Sequence, residues 1–143
     1  MEPDRQAEAV GKAEQVRGVG VQGLAQPWFV PTVRTVAADL AARADFDLDF
    51  IADLRMAVDE ACAALVRLAD PDKPLRCSFL LAADWISVEV TVVARERGVR
   101  VSTTGFGWRV LQSLVDEASV HTADDEDATE LVGIRLLNKQ SAG

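Results

Sequence analysis

The chain has 143 residues, 49% of them hydrophobic, and carries 23 acidic against 15 basic side chains for a formal net charge of -8. A compact domain near that length buries roughly 70% of the surface its unfolded chain exposes, so one core can stand without disulfide or metal staples. No apolar run approaches the ~18 residues of a spanning helix, and a negative chain without a basic patch cannot neutralise phosphates, so the expectation is a soluble protein with no membrane and no direct nucleic-acid partner.

Residues 1 to 22 are rich in Gly, Gln, Glu and Ala and show no sustained apolar period, which predicts a flexible N-terminal tail ahead of one domain over residues 23 to 140. The opening MEPDRQAEAVGKAEQ has acidic residues and no apolar stretch behind a basic cluster, so it does not read as a secretory signal and a cytoplasmic location is expected. Order should begin near Gln26-Pro27-Trp28-Phe29-Val30, with Pro31 suited to the first position of a helix over residues 31 to 43. Val33, Val36, Ala37, Leu40 and Ala41 form its buried stripe. After the joint Asp45-Phe46-Asp47, with Asp47 as N-cap and Asp49 favourable to the dipole, a second helix is predicted over residues 48 to 69. Phe50, Ile51, Leu54, Ala57, Val58, Ala61, Leu65 and Leu68 face inward, and the run Asp70-Pro71-Asp72-Lys73-Pro74 stops the helix.

From there the period becomes extended. Residues 75 to 81 and 85 to 94 predict a hairpin turning at Ala83-Asp84. A charged and then polar connection, with a short extended piece at residues 99 to 101, leads to Gly105-Phe106-Gly107 and a third helix over residues 108 to 117, buried through Val110, Leu111, Leu114 and Val115. Strands over residues 118 to 122 and 130 to 137, joined by the acidic turn Asp124-Asp125-Glu126-Asp127, complete an ααββαββ order. That order predicts an α+β fold, a two-layer sandwich with helices on one face of a mostly antiparallel sheet. Cys62 and Cys77 read as core thiols, and two cysteines with the single His121 are too few for a zinc site. His121 reads as a partly exposed strand residue, and the acidic run as a solvated turn without the spacing of a calcium loop.

Three stretches carry chemistry. In Met56-Ala57-Val58-Asp59-Glu60-Ala61-Cys62-Ala63-Ala64, Glu60 and Ala64 lie four apart and so share one helix face on adjacent turns. On its own, Glu60 reads first as a solvated carboxylate on an amphipathic helix and only second as a catalytic group. In Glu96-Arg97-Gly98 a glycine follows charged residues, which is ordinarily a turn. In the run from Gly105 to Glu117, GFGWRVLQSLVDE, two glycines precede a helix whose first amides could cradle phosphate if no side chain blocks them.

Together these stretches resemble the histidine-kinase-like ATPases of the GHKL superfamily with the Bergerat fold. Within that superfamily they resemble the RsbW-type anti-sigma factors, which are also serine kinases, on their degenerate, UsfX-like branch. The resemblance spans residues 26 to 139. It implies that Glu60 is the candidate general base and that Ala64 stands where the family's magnesium-ligating Asn would be. It also implies that Glu96 and Gly98 stand for the adenine-binding Asp-x-Gly, and Gly105 and Gly107 for the phosphate turn. Alanine offers a hard cation no oxygen, and Ser102-Thr103-Thr104 replaces part of the family's glycine-rich lid. The resemblance thus implies a binding protein first. It would sequester an alternative stress or developmental sigma factor, be released by an anti-anti-sigma factor of the STAS type, form a homodimer, and bind ATP or ADP weakly, with magnesium present only alongside ATP. An active serine/threonine kinase acting on the anti-anti-sigma factor is the alternative, and weak or absent activity is the expectation.

Overall fold

The computed structural model describes residues 16 to 140. In chain order it contains β1 (Arg17–Leu24), a 3-10 turn (Pro27–Phe29), α1 (Val30–Arg43), α2 (Leu48–Val66), β2 (Pro74–Leu81), β3 (Trp85–Val93), α3 (Phe106–Leu114), β4 (Glu117–Asp124), a second 3-10 turn (Glu126–Ala128) and β5 (Glu130–Lys139). The strands form one sheet in the order β1-β2-β3-β5-β4, and every pairing is antiparallel. The fold is therefore the expected two-layer α+β sandwich.

Side chains alternate across each strand with period two, and this decides which face the helices cover. Leu75, Cys77, Phe79 and Leu81 of β2 are buried in one core with Ile86, Val88, Val90 and Val92 of β3 and Val132, Ile134 and Leu136 of β5. Their neighbours Arg76, Ser78, Leu80, Glu89 and Arg135 point away and are exposed. Val33, Ala37 and Ala41 of α1 are buried, as are Phe50, Leu54, Ala57, Val58, Ala61, Cys62 and Leu65 of α2. The Asp47 carboxylate accepts the Phe50 amide at 2.8 Å, the expected N-cap, and Asp49 sits in the first turn. Phe46 stacks on Phe50 with ring centroids 4.2 Å apart, which closes the joint between α1 and α2.

Four expectations need correction. The predicted tail covers residues that are part of the sheet: β1 pairs with β2 along its whole length, from Arg17 against Leu81 to Leu24 against Pro74. Residues 1 to 15 of that tail lie outside the described residues. The strand was hidden because Gly18, Gly20 and Gly23 leave only Val19 and Val21 as an inward pattern. One of those glycines has a packing reason, since a Cβ on Gly23 would stand 2.7 Å from the Phe29 ring. The second helix ends at Val66 instead of residue 69, before the prolines act. Its next residues are drawn towards the end of β3: Ala69 bridges Ala94, the Asp70 amide donates to the Val93 carbonyl, and the Arg95 amide donates to the Leu68 carbonyl.

The third helix starts two residues early, at Phe106, and ends at Leu114. Val115 is extended and the Asp116 amide donates to the Leu137 carbonyl, so entry into β4 overrides helix propagation. Residues 99 to 101 form no strand. Among the described residues no helix is long and apolar enough to cross a membrane.

Candidate functional site

The α2 helix places Glu60 and Ala64 on adjacent turns of one face, next to α3. Together with Arg67 and Leu68 they line one side of a cleft of about 320 Å³, whose remaining lining is Arg100, Val101, Ser102, Gly105, Gly107, Trp108 and Leu111. That volume lies at the small end of ligand sites, roughly 300 to 1,000 Å³. Trp108 and Leu111 are buried, so they give the cleft an apolar part, while Arg67 and Arg100 bring two cations and Glu60 an anion.

The turn before α3 is built as its glycines suggest. Gly105 is the N-cap and offers no side-chain acceptor, and the first turn of α3 holds no acidic residue of its own, so the anion nearest its positive end comes from another element. A Cβ on Gly107 would lie 3.2 Å from the Glu60 Oε2. The carboxylate thus packs directly on the glycine turn, and two residues 47 positions apart in the chain become neighbours. The oxygen donors that side chains bring to the lining are Glu60 and Ser102, and Ala64 adds none. Among the described residues no group of three or more His, Cys, Asp and Glu could hold a metal ion.

Glu60, Gly105 and Gly107 are therefore brought together, with Ala64 beside them, whereas Glu96 and Gly98 are not part of the cleft lining. Glu96 is exposed. Gly98 has a turn role: its φ is +92°, a region L side chains rarely adopt, and its amide donates to the Glu130 Oε1 at 3.1 Å. Glu130 is the polar residue that inspection of the sequence missed. Its carboxylate, 9% exposed, receives Arg100 through Nη1 at 2.7 Å and Nη2 at 3.3 Å. Arg97 makes a parallel tie outside, to Asp124 at 3.0 Å and to the carbonyls of Ala128 and Thr129 at 3.3 Å. On the other flank of Glu60, Asp59 of α2 pairs with Arg34 of α1 at 2.8 Å.

The remaining reactive groups lie elsewhere. Cys62 and Cys77 are free and buried. Burial, aided by the Asp59 charge, pushes the Cys62 thiol up to about 12, and burial followed by the neighbouring Cys62 pushes Cys77 higher still. His121 is half-buried on β4, with its ring over Gly133 and its Nε2 3.9 Å from a Glu89 carboxylate oxygen on the helix-free face. The turn from Asp124 to Asp127 is exposed, as expected of a solvated connection.

A model of the histidine kinase-like ATPase domain matches residues 24–132. The anti-sigma-F factor RsbW of Mycobacterium tuberculosis, in strains CDC 1551 / Oshkosh and H37Rv, is 33% identical to the chain over 134 residues, covering 92% of this chain and 79% of its own length.

Proposed function

The chain belongs to the histidine kinase-like ATPase family, in its RsbW-type anti-sigma branch, and on that premise we propose that it binds and sequesters an alternative sigma factor until an anti-anti-sigma partner of the STAS type releases it. The observation that carries the reading is the similarity to the anti-sigma-F factor RsbW of Mycobacterium tuberculosis along 92% of the chain. Holding a partner needs a complementary surface and no group transfer, so the function survives a weakened cleft. A homodimer and a location in the cytoplasm go with the same reading.

The cleft retains features suited to a nucleotide, namely the glycine turn of Gly105 and Gly107 at the N-terminus of α3 and the Arg67 side chain. Magnesium is the weak point: beside a nucleotide it takes most of its oxygens from phosphates and water and needs one or two from the protein, and Ala64, where the family's ligand would stand, offers none. We therefore read the site as a degenerate one that binds ATP or ADP weakly. The contact between Glu60 and Gly107 favours one second reading, a serine/threonine kinase acting on the anti-anti-sigma partner, in which the Glu60 carboxylate accepts the proton of the attacking serine hydroxyl. Phosphoryl transfer depends chiefly on positioning and on neutralising charge, so the missing ligand removes the larger part of the catalysis.

Two measurements test the proposal. In a pulldown against the alternative sigma factors of its own organism, the protein retains at least one, and retention of none removes the anti-sigma reading. With labelled ATP, magnesium and the anti-anti-sigma partner, the unmodified protein transfers little phosphate while Ala64→Asn transfers more. Vigorous transfer by the unmodified protein would establish the kinase reading instead.

A further inference from the structure

Between the end of β3 at Val93 and the start of α3 at Phe106 run twelve residues, 94 to 105, that form no helix and no strand. Backbone bonds hold only its start, where Ala94 bridges Ala69 and donates its amide to the Glu130 carbonyl and the Arg95 amide donates to the Leu68 carbonyl, so side chains set the path of the rest. Its later half forms the cleft wall through Arg100, Val101, Ser102 and Gly105. Its strongest anchor is Glu130, the first residue of β5, which takes both Arg100 nitrogens and the Gly98 amide on one carboxylate. We propose that Glu130 is a positioning residue for the cleft, which fixes Gly98 and Arg100 so that residues 98 to 105 stand as its wall before any ligand arrives.

Geometry separates this anchor from the others. The Glu130 side chain is 9% exposed while that of Arg100 is 52% exposed, and their contact is two-pronged, so removing the charge takes away a contact whose acidic end is shielded from solvent. The neighbouring pair of Arg97 with Asp124 is 54% and 82% exposed, a class of ion pair worth little by itself. A wall preorganised in this way spares an incoming ligand the cost of ordering it. The inference holds whatever the cleft binds, and its test uses no ligand and no partner.

The experiment is amide hydrogen exchange on the full chain and on Glu130→Gln, Arg100→Gln, the double variant and Asp124→Asn. Glutamine keeps an oxygen for the Gly98 amide but gives up the charge. Both single variants should speed exchange across residues 98 to 105 by about tenfold while amides of β3 and β5 stay within about twofold, because local opening is separable from global unfolding. The double variant should add little to either single one, since both remove the same interaction, and Asp124→Asn should match the unmodified chain. The proposal is overturned by unchanged exchange at residues 98 to 105 in Arg100→Gln, by acceleration that reaches β3 and β5 equally, or by additive effects in the double variant.

Discussion

Hydrogen bonds from Arg100 and then from the Gly98 amide hold the Glu130 carboxyl below the usual glutamate range, and the nearby charges of Arg100 and Arg97 act in the same direction. A carboxyl with a depressed value in the folded chain contributes stability that is complete above its unfolded value and is lost as pH falls through the folded one. The stability gap between the unmodified protein and Glu130→Gln should therefore be full at pH 6 and close as the solution is taken below pH 4, measured by urea denaturation at each pH. A gap that stays constant to pH 3 would show that the charge is not what stabilises. The raised Cys62 thiol leads to a separate outcome at the same scale. Thiol reagents attack the thiolate, so at pH 8 the folded protein should resist labelling and unfolding should expose two reactive thiols per chain. That Glu60 lines the cleft was legible through the family resemblance of its helix, the spacing of four adding only that Glu60 and Ala64 share a face. Glu130 was not, because its partner Arg100 lies thirty positions away and only the packing of a loop on β5 makes them meet.

Elements ended where hydrogen-bond demand changed. The start of α2 is a local event: Asp47, its N–H acceptor geometry and Asp49 lie within one turn, so capping could be read directly. Replacing Asp47 with Ala should cost about 1 kcal/mol in denaturant unfolding, the usual worth of an aspartate cap, and should leave the cleft lining in place. The ends of α2 and α3 are not local events. Val66 is followed by residues that favour helix well enough, but the Asp70 amide finds the Val93 carbonyl of β3, and after Leu114 the Asp116 amide finds the Leu137 carbonyl of β5, and those bonds win. Gly98 shows the same dependence in reverse: a glycine in a charged loop looked like any turn, while its φ of +92° and its bond to Glu130 make it a fixed corner of the molecule. Substitution by Ala there should cost about 1 to 3 kcal/mol from the left-handed backbone alone, seen as a lowered urea midpoint.

At the level of the whole molecule, β1 closes one edge of the sheet and covers the backbone groups of β2, while the Phe29 ring packs on Gly23. A chain lacking residues 1 to 24 should lose stability and self-associate through the uncovered β2 edge, which light scattering would detect; a monodisperse product of unchanged stability would count against β1 as part of the domain. The amino-acid sequence by itself determined the layer architecture, the inward faces of α1 and α2 and the hairpin of β2 and β3, which rest on periodicities and caps that act within a few residues, while the family followed from the resemblance of three motifs. Tertiary structure alone decided that a glycine-rich segment becomes the edge strand and that Glu96 stays outside the cleft. It also decided that Glu130 anchors the cleft wall, because strand pairing and loop docking join residues far apart in the chain, and no local pattern records which distant group will satisfy a backbone bond or a charge.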